Sequence, residues 1–152
     1  MFKRKNVKRN SSFVVFITGD SKSIKVNNGI CKISEFLAEK FNDSQEVYFE
    51  NVTARSVELL TQFYNEYLGL SAKQIEQLGD PKNYLDVKKA DAELIRVYDI
   101  YKKLSYADLF GLLKTVNDMR IKSLMGVLSH IVAQVIATKK IEKMEEEFAN
   151  NE

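Results

Sequence analysis

From Ser123 to Thr138 the sequence carries no Asp, Glu, Lys or Arg. A stretch this apolar has to be covered by something, and that requirement constrains the fold more than any other feature of the chain. At about 100° per residue, with Ile121 taken as zero, Met125, Leu128, Val132 and Ile136 fall within about 60° of one line. Leu124 and Val135 lie just to its other side, and Val127 and Ile131 widen the apolar arc to about 180°, where an ordinary surface helix needs only about 100°. The remaining positions are small or neutral, among them Ser123, Gly126, Ser129, Ala133 and Gln134. Such a helix is packed from more than one direction. Ile121, Leu124, Met125, Leu128 and Val132 read as core, and Val127, Ile131 and Val135 read as surface reserved for a partner.

The segment that follows, "KKIEKMEEEFANNE", repeats the pattern on a narrower stripe: Ile141, Met144 and Phe148 stand at i, i+3 and i+7 among charged residues. Such a helix either folds back onto the domain or, left open, forms with its neighbour a groove that a partner's helix completes, since exposed apolar area of that size marks an interface.

Upstream, the order is β then α. "FVVFIT" is rich in β-branched and aromatic residues, Gly19, Asp20 and Ser21 form a turn, and Ile24 and Val26 alternate with Lys25, so a hairpin is expected. "CKISEFLAEKF" places Ile33, Phe36, Leu37 and Phe41 near one helical face, and "EVYFENV" reads as a third strand. Thr53 is a candidate N-cap for a helix over Ala54 to Leu68, with Val57, Leu60, Tyr64, Tyr67 and Leu68 on its buried stripe. Ser71 opens a short helix holding Ile75 and Leu78, closed by Gly79, Asp80 and Pro81. Two further helices follow, one with Leu94, Val97, Tyr98, Tyr101 and Leu104 inward, the other with Leu109, Leu112, Leu113 and Val116 inward.

Charge and cysteine content narrow the classes. The net charge of +2 hides a leader with five basic residues, Lys3, Arg4, Lys5, Lys8 and Arg9; the rest holds 18 basic against 21 acidic side chains. A disordered tail is expected there, over 1–12, and no aromatic platform accompanies it, so nucleic acid is not an expected partner. Cys31 stands alone, which removes intrachain disulfides and cysteine zinc sites. The 16-residue uncharged run falls short of the roughly 20 residues that span a bilayer, and no secretory leader opens the chain. A cytoplasmic and nuclear protein without a membrane partner is expected.

Catalysis finds no support in the pattern. His130 has no neighbouring nucleophile or carboxylate at triad spacing and reads as a surface residue. Glu145, Glu146 and Glu147 are consecutive, so they fan around a helix and do not converge on a metal. The isolated Gly19, Gly29, Gly69 and Gly79 form no phosphate loop or dinucleotide fingerprint. No enzyme activity, cofactor or metal is expected.

The ungapped segment Asp108 to Phe148 resembles the S-phase kinase-associated protein family, the Skp-type adaptors of SCF ubiquitin ligases. The matching positions include Leu109, Phe110, Leu112, Asn117, Ile121, Lys122, Leu124, Val127, Val132, Ala133, Ile136, Lys139, Glu142 and Phe148. "VYFENVTARSVELLTQFYNEY" is similar to the family's third strand and following helix through Asn51, Val52, Gln62 and Phe63. The hairpin "FITGDSKSIKV" keeps the family's Asp at Asp20, with Ser21 where glycine is usual. The resemblance implies an α+β, BTB/POZ fold over 13–120, a small three-stranded sheet covered by helices, followed over 121–152 by two C-terminal helices that bind an F-box. The implied F-box-facing residues are Val127, Ile131, Val135, Ile136, Ile141, Met144 and Phe148. Asn117 and Asp118 stand at the cullin-facing corner, where Asp118 replaces an aromatic. Thr138 and Ile141 replace the family's Gly and Pro, so a straighter junction between the last two helices is expected. Elongin C is similar through "EVYFENV", and a kinetochore adaptor that works without a cullin is a further alternative within the family.

Overall fold

The computed structural model describes residues 12–150; up to residue 11, the expected basic tail lies outside the described residues. Among the described residues the architecture is α+β, with a three-stranded sheet ordered β2-β1-β3 and seven α-helices.

β1 (Phe13–Thr18) and β2 (Ser23–Asn27) form the expected hairpin, antiparallel in a register that sets Val14 against Val26 and Phe16 against Ile24. Period-two alternation buries Val14, Phe16 and Thr18 along β1. Ser21 adopts φ 63°, the left-handed conformation that glycine takes most readily, at the tip of the turn. Thr18 Oγ1 donates to Asp20, and Asp20 also accepts from the Ala54 amide at 3.1 Å, tying the hairpin tip to a helix start. The Thr18 hydrogen bond holds the Asp20 carboxyl below the usual carboxylate range.

β3 (Glu46–Phe49) runs parallel to β1, pairing Phe16 with Val47. A parallel neighbour requires a crossover, supplied by a 3-10 turn over Asn28–Ile33 and helix α1 (Glu35–Lys40). The periodicity of "CKISEFLAEKF" suggests one helix; the chain instead breaks at Ser34, which is extended (φ −159°, ψ 127°) and caps α1 by accepting from the Leu37 amide. Serine's short hydroxyl competes for backbone partners and favours caps over helix interiors.

Helix α2 (Ala54–Leu68) has the expected bounds and the expected Thr53 cap, whose hydroxyl accepts from Ser56 N. It lays Val57, Leu60 and Phe63 into the core. Leu68, expected on the buried stripe, is exposed. Phe16, Phe41 and Phe49 pack together, with Phe16 centroids 5.0 and 5.3 Å from the other two. α3 (Ala72–Leu78) opens on a reciprocal capping box between Ser71 and Gln74 and closes at Gly79. Then come α4 (Lys82–Leu85), a 3-10 turn at Val87–Lys89, α5 (Ala92–Lys102) and α6 (Tyr106–Met119).

The last element is α7 (Lys122–Asn150), one helix of 29 residues. Two C-terminal helices were expected; with Thr138 and Ile141 in place of Gly and Pro, no residue in the segment lacks an amide hydrogen or favours the left-handed region, and the helix runs through. Its turn of entry is sharp. Arg120, at φ 57°, ends α6 in the left-handed conformation, and Ile121 N then bonds back to Val116 O at 3.1 Å.

Candidate protein-binding surface

The first half of α7 lies in the same core as the sheet. Ile121, Leu124 and Leu128 are buried as expected, while Met125 and Val132, also expected inward, are half-buried. Val127 and Ile131 correct the reading: expected to stay open for a partner, they are 0% and 3% exposed. The second direction of packing belongs to this chain's own helices, since α3, α5 and α6 all contact α7. Gly126 allows the closest approach: a Cβ there would sit 1.9 Å from the Gly79 carbonyl oxygen at the end of α3. His130, expected on the surface, is half-buried with Nδ1 2.8 Å from the Tyr98 hydroxyl. Relative to the expected core line, the covered arc is turned toward Val127 by about 60°.

The opposite edge of that arc is left open. Between α6 and α7 a shallow cavity of about 350 Å³ is lined by Phe110, Leu113, Lys114, Asn117, Met125 and Ser129. Tyr106 and Phe110 stand exposed on α6, and the Lys139 ammonium sits 5.3 Å from the Tyr106 ring. Farther along α7, Ile136, Ile141, Met144 and Phe148 are 53–70% exposed. Val135 is half-buried against the core. The open apolar surface therefore falls into two patches: the α6–α7 cavity with Ile136 at its border, and the row Ile141, Met144 and Phe148 on the outer end of α7, turned from it by about 100° around the axis.

Of the seven F-box-facing residues expected from the sequence, Val127 and Ile131 are covered, Val135 is half-buried, Ile141, Met144 and Phe148 share the outer row, and Ile136 stands exposed at the border of the cavity patch. Phe110, Leu113, Met125 and Tyr106 complete it and were not singled out as binding residues. Phe110 could have been found, because it stands off the stripe formed by Leu109, Leu112 and Val116 and is too large an aromatic to leave wet without reason. Asn117 and Asp118 are both exposed, Asn117 in the cavity wall at the end of α6.

On another side, a cavity of about 840 Å³ is bordered by Phe36, Tyr67, Ile75, Asp80, Arg120 and Lys122. Its charges are mixed in sign. Among the described residues, no three His, Cys, Asp or Glu side chains are grouped as a metal site requires. By length and composition α7 could cross a bilayer, with a mean hydropathy of 1.3 in its most apolar window. Its Leu124, Val127, Leu128 and Ile131, however, are buried in the core beside the sheet and helices.

Fold and surface together define an α+β protein with a projecting, partly apolar C-terminal helix. No family model matches the chain, and no curated protein matches it.

Proposed function

We propose that the chain is a non-catalytic adaptor of the Skp type, with a BTB/POZ fold, that joins an F-box-type substrate receptor to a cullin scaffold in a cytoplasmic and nuclear ubiquitin ligase. One observation carries the reading. Ile141, Met144 and Phe148 form an exposed apolar row on one face of the outer end of α7, and a receptor helix laid along it would cover the row in a helix-to-helix contact. The small sheet covered by helices is what the BTB/POZ reading requires. Holding receptor and scaffold on one body raises their effective concentration, and that suffices for an adaptor without any reacting group.

Asp118 favours a second reading, in which the receptor is held without a cullin, because an acid at that exposed corner replaces an aromatic contact. Co-purification from the native cells, read by mass spectrometry, separates the two. F-box proteins with a cullin support the ligase adaptor, F-box proteins alone support the second reading, and recovery of neither defeats both. Phe148→Asp and Ile141→Asp are expected to abolish receptor capture with a nearly unchanged melting temperature, since both side chains are mostly exposed.

A further inference from the structure

The row at the end of α7 has a regular spacing that a single groove does not demand. Ala137, Ile141, Met144 and Phe148 follow one another at intervals of four, three and four, the a/d spacing of a coiled coil over two heptads. All four are exposed, on a part of the helix that spans about 18 Å. The flanks of this seam differ. Lys140 and Glu147 border it on one side, at positions equivalent to g, and Thr138 and Glu145 border it on the other, at positions equivalent to e. Among the described residues, neither Lys140 nor Glu147 has an ion-pair partner within the chain.

We propose that a second copy of this chain covers the seam, the two α7 ends pairing antiparallel about a two-fold axis that passes between Glu142 and Lys143. This register sets Ile141 opposite Met144 of the other copy, and Phe148 opposite Ala137. The largest side chain of the seam thereby meets the smallest, so each layer is filled without a void or a clash. The same register brings Lys140 beside Glu147 of the other copy. The two-fold axis repeats every contact, so one complementary pair becomes two. A parallel pair fits poorly. It would place Ala137 against Ala137 and Phe148 against Phe148, and it would bring both folded bodies to the same end of a helix pair whose axes lie only about 8–10 Å apart. In the antiparallel arrangement the bodies sit at opposite ends.

The consequence for the proposed adaptor is self-occlusion: Ile141, Met144 and Phe148 cannot meet a receptor helix and a second copy at once. The inference shares these residues with the adaptor reading, and its test separates the two. Sedimentation equilibrium on the full chain is expected to show a monomer–dimer equilibrium. Lys140→Glu alone and Glu147→Lys alone should each weaken it about tenfold, the effect of turning two exposed attractive pairs repulsive. The double variant Lys140→Glu/Glu147→Lys should restore it, because the swapped charges again face each other. A protein monomeric at every concentration overturns the inference, as does a dimer indifferent to the single variants or not rescued by the double one. A receptor helix that binds a strictly monomeric chain leaves the adaptor reading standing without the dimer; a rescued dimer that no receptor helix competes away leaves the dimer standing without the adaptor.

Discussion

The Ser34 hydroxyl donates to the Met119 carbonyl at 2.6 Å across 85 positions of sequence. The same oxygen accepts from the Leu37 amide at 3.2 Å, so one side chain caps the start of α1 and the end of α6. Ser34 and Met119 are both buried. Ser34→Ala is therefore expected to cost about 1–3 kcal/mol, the sum of a lost cap and an orphaned buried carbonyl. Urea denaturation with an unchanged m-value is the check.

One residue on from Met119, Arg120 holds a left-handed conformation that glycine adopts without its steric cost. Arg120→Gly should be neutral or stabilising, by up to about 1 kcal/mol, and Arg120→Val should be destabilising by more than that. Thermal melts of the two variants beside the parent decide the sign. The exposed guanidinium lies 5.8 Å from the Phe36 ring, a contact that the glycine variant gives up.

Two helical glycines are expected to respond in opposite directions. Gly126→Ala drives a methyl into the Gly79 carbonyl and forces α7 away from α3, an overpacking cost of about 1–3 kcal/mol or more. Gly111 is exposed on α6 with its nearest non-local atom 3.9 Å from an added Cβ. Gly111→Ala should stabilise by about 0.5–1 kcal/mol through helix propensity alone. Equal effects from both substitutions would contradict the packing described for α7.

Ile131 offers a direct contrast with the outer row. Ile131→Ala is expected to cost about 2–5 kcal/mol as a core truncation, whereas Ile141→Ala should change stability by less than about 0.5 kcal/mol. The comparison, made by chemical denaturation, distinguishes the covered part of α7 from its open part.

Two buried tyrosines set the alkaline limit. Tyr84 donates to Leu78 O at 2.8 Å, while the Tyr101 hydroxyl finds no hydrogen-bond partner among the described residues. Burial raises the titration of both phenols above the ordinary value of 10.0. A folded-state value above the unfolded one means that the folded chain retains its proton longer. The stability involved is complete below about pH 10 and is lost as pH rises beyond it. Tyr101→Phe should flatten that loss at little or no cost at neutral pH, whereas Tyr84→Phe should cost about 1 kcal/mol for its hydrogen bond. Stability curves measured up to alkaline pH test both.

Local chemistry made much of the fold legible before any coordinates. Thr53 and Ser71 announced helix starts because a hydroxyl ahead of an apolar period satisfies the first free amides, and Phe13 to Thr18 announced a strand through its β-branched and aromatic run. The break at Ser34 was hidden, since its deciding partner is the distant carbonyl of Met119. The candidate surface was legible only in part. Periodicity measured the apolar arc of α7 correctly, but an arc does not say which edge a neighbour will cover. The approach of Gly79 to Gly126 buried the edge holding Val127 and Ile131, and the edge beside Phe110 stayed open.

The unbroken run of α7 from Ile121's core contacts to Phe148 makes the outer row's direction a property of the core. With no joint to absorb a change, inserting or deleting one residue between Val135 and Ala137 would leave the core contacts up to Val135 in place and swing the outer row by about 100° around the axis. Such a variant would fold and melt normally while presenting Ile141, Met144 and Phe148 to another side. If the outer row holds the proposed receptor, length changes in this stretch are tolerable only in steps close to whole turns, and the spacing itself matters apart from the identity of any residue in it.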